Sequence, residues 1–576
     1  MSAVLTAQEP SAKYLVNLQP PLVRHFDLIA QAPGGVARLR ELILTLAVQG
    51  KLVPQATSDE PASELLKKIA LEKDRLVAEK KIRKGKPLPD IGDEEMFFEL
   101  PRSWAWVRLN SIGDWGAGAT PSRTNSNYYG GKIPWFKSGE LTADHIAESE
   151  ETVTEAALRE CSLRLNQPGD VLIAMYGATI GKTAILDVVG TTNQAVCACT
   201  PFSGMSNSYL LLLMKALKPY FISQGAGGAQ PNISREKIIH TVIGLPPLAE
   251  QSRIVTRVEE LMQLCDALEA SGQLEAQQHA QLASTLLGTL NQSETPEALA
   301  DNWQRIATHF DVLLDRSEAV DALEQTILQL AVRGLLVPQD PTDEPASVLL
   351  QKIRTEKNHL IAQGKIKRDK PLPPITDDEK PFELPQGWEW VRLGDVWQSS
   401  FYGPRFGNDE YVSTGGLPTI RTTDMTDGQI ILKNPPRVNV PTGKYDTYLV
   451  KKGDLLVTRS GSIGVMALFD LDIDAVPSAY LIRLRFSQFV LPTYCAKYFF
   501  SELGQAQLGL NTTAVGVPNV SASKMAEFYF PLAPFAEQDR IVIRINELRS
   551  LCADLRQRLT ARQEVQSRLA DAFVTG

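Results

Sequence analysis

The chain is poor in the residues that usually carry chemistry. Six cysteines are spread over 576 residues, and only Cys197 and Cys199 stand close together, as a lone CxC. This is neither metal-knuckle spacing nor a disulfide framework. The pair is read as buried strand residues, and the sparing use of cysteine fits a reducing cytoplasm. Six histidines form no HExxH and no triad arrangement. No two carboxylates are marked as an acid–base couple, so the sequence offers no active site. No apolar run is longer than Tyr209 to Met214, which is far too short to cross a bilayer. No apolar stretch behind a basic head marks a secretory signal. Strong charge of one sign is also missing. The net charge of −8 argues against a general polyanion binder. That acid excess lies outside two stretches: Trp104–Leu248 holds 11 basic and 11 acidic residues, and Trp388–Phe535 holds 13 of each. Neutral stretches can bind DNA through a few placed residues, with a partner's help.

What is present is a duplication. His25–Leu109 returns as His309–Leu393 at a shift of 284. Within it, LILTLAVQGKLVPQ and DEPASELLKKI answer TILQLAVRGLLVPQ and DEPASVLLQKI. A second block, Pro231–Leu268, returns as Pro518–Leu555 at a shift of 287. Between the alike blocks lie two unlike inserts, Val107–Gln230 and Val391–Val517. A duplicated frame with diverged inserts predicts one protein presenting two different reading heads. The length fits about three or four domains, and 43% hydrophobic content supplies a large core.

The apolar spacing predicts helices over Val36–Val48, ended by Gly50, and over Pro61–Lys84, ended by Lys86-Pro87. The inserts are read as compact mixed α/β domains, with strands at Asp170–Met175, Ala184–Val189, Asp454–Thr458 and Ala479–Arg485. After each insert comes a heptad seam. Ile254, Val258, Leu261, Cys265 and Leu268 step by 4, 3, 4 and 3, as do Ile541, Ile545, Leu548, Cys552 and Leu555. The simplest partner for each seam is the other seam or the helix that follows it. Gly272 is expected to weaken the first helix. If the two helices run in opposite directions, a local twofold axis follows, and half-sites on successive turns of a duplex come within reach.

Two motifs tempt. Gly177–Thr183 resembles a phosphate-binding P-loop but is one residue short, and the second insert has no lysine there. It is read as a polar hairpin turn that can still touch DNA through Tyr176, Thr179 and Lys182, and in the second insert through Arg459, Ser460 and Ser462. Asn434-Pro435-Pro436-Arg437 resembles an amino-methyltransferase motif with arginine in the aromatic place, and is read as a proline turn. The paired loops are more informative. Lys137, Ser138 and Glu140 fall opposite Arg421, Thr422 and Asp424. A basic and an acidic side chain at fixed spacing suit guanine and cytosine edges, or a surface ion pair. Asn193-Gln194-Ala195 is matched to Pro477-Ser478-Ala479; amides suit adenine, or cap turns. Loops ending in Gln230 and Asn232, and in Asn511, Thr512, Thr513 and Asn519, are rich in small residues that let backbone approach phosphate.

These motifs in this order make the chain resemble the specificity subunits of type I restriction–modification systems. The carriers are IPWFKSGEL, GDVLIAMYGATIGKT, NQA, QPNIS and PLAEQSRI, then GDLLVTRSGSIG, VPNVS and PFAEQDRI. The resemblance covers about residues 25–576. It implies a mixed α/β fold with two globular target-recognition domains joined by long antiparallel helices, an internal duplication with pseudo-twofold symmetry. The implied parts are a helical region at 1–103, a first recognition domain at 104–247, a central coiled-coil helix and linker at 248–308, a second helical region at 309–387, a second recognition domain at 388–534 and a C-terminal coiled-coil helix at 535–576. It implies double-stranded DNA, two modification subunits and two restriction subunits as partners, and no membrane. This chain would bind no cofactor; S-adenosylmethionine, ATP and magnesium would belong to the partners. A nucleotide-dependent enzyme and a protein-only coiled-coil scaffold are the competing readings.

Overall fold

Glycine sets the ends of the repeated helices. Gly35–Val48 buries Leu39, Leu42, Ile43 and Ala47, and its copy Ser317–Val332 buries Leu323, Ile327, Leu330 and Ala331. Each helix is followed by a glycine with left-handed backbone, Gly50 at φ +69 and Gly334 at φ +73. A side chain there would be strained. Its Cβ would also lie 2.5 Å from the Pro101 ring or 2.6 Å from the Pro385 ring. The next pair of helices, Ala62–Ala78 and Ala346–Ala362, starts in both copies after a proline, Pro61 and Pro345. The first was expected to reach Lys84. It stops earlier because Lys80 turns to φ 56, as Gly364 does at φ 69 in the copy.

The computed structural model describes residues 29–30, 32–85, 88–225, 231–459, 464–509 and 520–575. The chain divides into two units, Met1–Leu274 with Gln563–Gly576, and Glu275–Arg562. The boundaries fall inside two long helices, Leu248–Asn291 and Phe535–Thr575. The first runs without a break through Gly272. A single glycine costs about 1 kcal/mol in a helix, too little to interrupt one of 44 residues. Part of the stretch read as linker is also helix: Pro296–Ala307 starts at Thr295, whose hydroxyl accepts the Ala298 N–H at 3.2 Å.

The first unit carries a five-stranded sheet ordered Gly113–Ala117, Val196–Pro201, Val171–Ala174, Thr183–Leu186 and His145–Ile146. Neighbours are antiparallel except the last pair. A three-stranded sheet places Tyr129–Phe136 between Thr152–Val153 and Thr191–Thr192. Strand alternation explains the near-continuous hydrophobic runs. Val171 and Ile173 join the core shared with the helices, and Leu172 and Ala174 join a second core on the other face. A strand covered on both faces has no polar side to show. Cys197 and Cys199 sit here, fully buried, and burial pushes the Cys197 thiol up to about 12.

The second unit repeats the plan with altered edges. One sheet is ordered Trp397–Tyr402, Leu481–Phe486, Leu455–Thr458 and Met466–Leu468; another is ordered Tyr411–Val412, Arg437–Val438, Leu417–Ile420 and Val476–Pro477. Each head is closed at its base by a two-stranded antiparallel clasp. Ala105–Arg108 pairs with Val242–Leu245, and Glu389–Arg392 with Tyr529–Leu532. The clasps join the two ends of each head, so each head leaves and rejoins the frame at one place.

The seams are filled in a way the sequence reading did not name. Ile254, Val258, Leu261 and Cys265 are buried in one core with Leu39, Ile43, Ala47 and Ala570. Arg40, from the repeat helix, pairs with Asp266 at 2.6 Å and Glu269 at 2.8 Å. In the second unit Ile541, Ile545 and Cys552 share a core with Leu323, Ile327 and Leu290. Arg556 there pairs with Asp321 at 2.6 Å and Glu324 at 2.8 Å. The repeat helix of the same unit is therefore a partner of each seam.

Candidate nucleic-acid interface

In both heads a chain of backbone hydrogen bonds gathers four loops. In the first head Asn193 N–H donates to Phe136 at 3.0 Å, Met175 to Ala195 at 2.8 Å, and Ile233 to Met175 at 2.9 Å. In the second, Ser478 donates to Ile420 at 2.9 Å, Arg459 to Tyr480 at 3.0 Å, and Val520 to Arg459 at 3.2 Å. The loops beginning at Lys137 and Arg421, the turns at Asn193 and Ser478, and the tips beginning at Met175 and Arg459 thus occupy matching rungs. Asn232 bridges to Tyr176, and Gly177 donates to the Pro231 carbonyl at 2.8 Å. Of the candidates, Gln230, Ser460, Ser462, Asn511, Thr512, Thr513 and Asn519 lie outside the described residues.

One pairing between heads is corrected. A constant shift of 284 sets Asn193 beside Pro477, whereas the ladder sets it beside Ser478. The hairpin after the third strand is one residue shorter in the second head. Val171 pairs with Ile185, 14 positions on, but Leu455 pairs with Leu468, 13 on. The following turn is two residues longer, 10 positions from Leu468 to Ser478 against 8 from Ile185 to Asn193.

The acidic partners of the first loop pair serve the turn. Glu140 accepts the Lys137 backbone N–H at 2.5 Å and the Glu150 N–H at 2.8 Å. Asp424, buried, accepts the Arg421 backbone N–H at 2.8 Å and holds the Arg421 guanidinium at 2.7 and 3.0 Å. Both carboxylates thus staple a short 3-10 turn, and in the second head Arg421 and Asp424 form the ion pair that stood as the alternative to base contacts. Lys137 is not paired with Glu140 but with Glu150 and Glu151, both at 2.9 Å. Glu151 also takes Arg123 at 2.5 Å. The Arg123 hydrogen bond and then that of Lys137 hold its carboxyl down at about 2. Ser138 and Thr422 open the same turns, partly exposed.

The remaining loop residues are placed as follows. Asn193 caps its own turn, accepting the Ala195 N–H at 3.1 Å. Exposed Gln194 accepts from the Thr120 hydroxyl, a residue the sequence did not mark. Thr179 donates its hydroxyl to the Tyr176 carbonyl at 2.7 Å. Tyr176 is exposed and Lys182 half-buried. Arg459 lies with its guanidinium 5.1 Å from the Tyr402 ring centroid.

The P-loop likeness dissolves in this geometry. Val171–Ala174 and Thr183–Leu186 form an antiparallel hairpin, so no helix follows the loop. A phosphate cradle needs that helix N-terminus. Thr183, buried, gives its hydroxyl to the Leu172 carbonyl at 2.6 Å. Arg437 donates to the carbonyls of Gly415 and Gly416, while Asn434 takes a left-handed φ of 49, as a bend requires. Among the described residues no group of three His, Cys, Asp or Glu could hold a metal, and no helix is long and apolar enough to cross a membrane.

The repeated PLAEQSR and PFAEQDR segments clamp each head to a long helix. Glu250 accepts the Gln55 amide at 2.6 Å; Glu537 accepts Gln339 at 2.8 Å and the Trp388 indole N–H at 3.0 Å. Burial raises the pKa of both glutamates, against the pull of these donors. Gln251, fully buried, accepts the Ser206 N–H at 2.8 Å and donates to the Pro246 carbonyl at 3.2 Å. Gln538 repeats this with Leu491 and Ala533, both at 2.9 Å. Arg253 pairs with Asp59 at 2.5 Å, and Arg540 with Asp343 at 2.6 Å. A further latch ties the incoming linker: Arg108 to Glu95 and Arg392 to Glu379, both at 2.8 Å.

Comparison with known proteins bears on this arrangement. The model of the type I restriction modification DNA specificity domain matches residues 101–277 and again 385–564. The chain is 38% identical over 564 residues to the type I restriction enzyme EcoAI specificity subunit of Escherichia coli, covering 94% of this chain and 93% of that one. It is 36% identical over 576 residues to the EcoEI specificity subunit of the same species, with the same coverage. Among solved structures, the HsdS subunit from Thermoanaerobacter tengcongensis aligns with a TM-score of 0.39 at 18% identity, covering 83% of this chain and 97% of that one.

Proposed function

We propose, for a chain that belongs to the type I restriction–modification DNA specificity family, that each head reads one half of a split, asymmetric DNA sequence. The chain is a specificity subunit, which recognises DNA and is itself non-catalytic; it assembles with methyltransferase and restriction subunits. The half-site reading is carried by the loop ladder. Both heads hang four loops on the same rungs, while the side chains on those rungs differ. An equal pose with unequal chemistry is what reading two different sequences requires.

The physical scheme follows. Major-groove edges are read by loop side chains and register is set by phosphate contacts. Tyr176, Thr179, Lys182, Asn193, Gln194 and Asn232 are the candidates in the first head, and Thr422 and Arg459 in the second. Each head needs only modest affinity, because binding of one raises the effective concentration of the other. The long helices fix the gap between half-sites. Two modification subunits and two restriction subunits complete the complex in the cytoplasm. The partners hold S-adenosylmethionine, ATP and magnesium, and the flipped adenine is handled there. Sequencing methylated adenines in cells that express the chain with its modification partner tests the reading. Two half-motifs with a fixed gap are expected; one contiguous motif, or none, contradicts it.

A further inference from the structure

Because the two heads share one ladder, each position at the loop end of one has a counterpart in the other. Ala117 pairs with Cys197, and Gly118 then donates to Val196 at 3.0 Å; Tyr402 pairs with Ile482, and Gly403 donates to Leu481 at 2.9 Å. Tyr402 therefore stands where the first head has Ala117. By the rungs given above, Arg459 stands where it has Met175, and Tyr480 where it has Ala195. Three small or apolar residues of one head are replaced in the other by an aromatic–arginine–aromatic cluster. Met175 and Ala195 are buried, while Tyr402 is 39% and Tyr480 63% exposed.

The cluster is organised. The Tyr402 hydroxyl accepts the Ala522 N–H at 2.9 Å, which fixes the ring, and the Arg459 guanidinium stacks 5.1 Å from its centroid. Two neighbouring arginines of this head are committed, Arg421 to Asp424 and Arg485 to Asp454. Arg459 has no carboxylate partner among the described residues. A guanidinium stacked on a ring keeps its in-plane N–H fork available for a planar pair of acceptors. In the major groove that pair is O6 and N7 of guanine.

We propose that Arg459, held over Tyr402 and flanked by Tyr480, reads one guanine of the half-site bound by the second head, an assignment that rests on the half-site reading above. The first head, with Met175 on this rung, reads its half-site by other means.

The test uses the full chain with its modification partner, on duplexes randomised in both half-sites, with adenine methylation as readout. Arg459→Met and Tyr402→Ala are tested beside Arg459→Lys. Methionine matches the residue the other head carries on this rung, and alanine matches Ala117. Lysine keeps the charge and loses the fork. Arg459→Met and Arg459→Lys are expected to reduce the preference for guanine at one position of the second half-motif by roughly 5- to 150-fold. Tyr402→Ala is expected to weaken the same position, and the first half-motif stays as it was. An unchanged second half-motif overturns the assignment. So does uniform weakening across all sequences that lysine rescues, the mark of a phosphate contact. If the unsubstituted chain yields no two-part motif, the half-site reading itself falls.

Discussion

Gln251 gives the sharpest test of how a head is tied to its frame. Its buried amide joins the Ser206 N–H to the Pro246 carbonyl, at 2.8 and 3.2 Å. Ser206 is the N-cap of the helix Asn207–Ala216, which buries six consecutive residues from Tyr209 to Met214. Gln251→Ala leaves the Ser206 N–H, in a part-buried bond, without its acceptor. A buried group left unpaired costs about 1–3 kcal/mol, and the space left by the amide adds on the order of 1 kcal/mol. The local opening energy around Ser206 is expected to fall by about 2–4 kcal/mol. Hydrogen exchange followed by mass spectrometry reads this as roughly 30- to 800-fold faster exchange. Gln538→Ala should do the same around Leu491, whose N–H it holds at 2.9 Å. Exchange within twofold of the unsubstituted chain at Ser206 would refute the clamp.

Three further outcomes follow from the same contacts. Burial raises the Glu537 pKa above the ordinary 4.5, so the folded state holds this proton more tightly than the unfolded state. The stability this contributes is complete below the ordinary value and is lost as pH rises through the raised one. Glu537→Gln should flatten that part of the stability–pH curve, and parallel curves for the two proteins would contradict it. Gly334→Ala meets both a φ of +73 and the Pro385 ring at 2.6 Å; denaturant unfolding should register a loss of about 1–3 kcal/mol, and an unchanged midpoint counts against the close approach. Inserting one heptad after Leu268 keeps the seam in phase and lengthens the helix by roughly 10 Å. Methylated-motif sequencing should then show a changed gap or no recognition, with an unchanged gap removing the ruler.

Much of the architecture was legible because repetition does part of the work of an alignment. Comparing the two copies set the unlike inserts apart from the repeated frame and paired the loops at Lys137 and Arg421, and the apolar spacing marked the helix end at Gly50. The hydrophobic runs of the central strands were readable because those strands are covered on both faces. Three things were not legible. The partner of each seam was missed because a heptad shows that a stripe is covered but not which helix covers it. Leu39 and Leu323, on the repeat helices, supply that answer only in three dimensions. The roles of Glu140 and Asp424 stayed open because an acid three residues after a base suits a capped turn or an ion pair as well as a base contact. The Asn193 register slipped because the second head loses one residue in a hairpin and gains two in the next turn, which nearly cancel in the sequence. The clamp residues Glu250, Gln251 and Arg253 were visible as a repeated motif. Their partners Gln55, Ser206 and Asp59 are too distant in the chain to be paired by eye.

The most direct measurement exchanges one head. The segment Trp104–Leu245 is replaced by the equivalent segment of a relative, and methylated motifs are sequenced in cells that also express the modification partner. The account predicts that one half-motif changes to the relative's while the other half and the gap stay as they were. A motif unchanged in both halves, or altered in both, would contradict it.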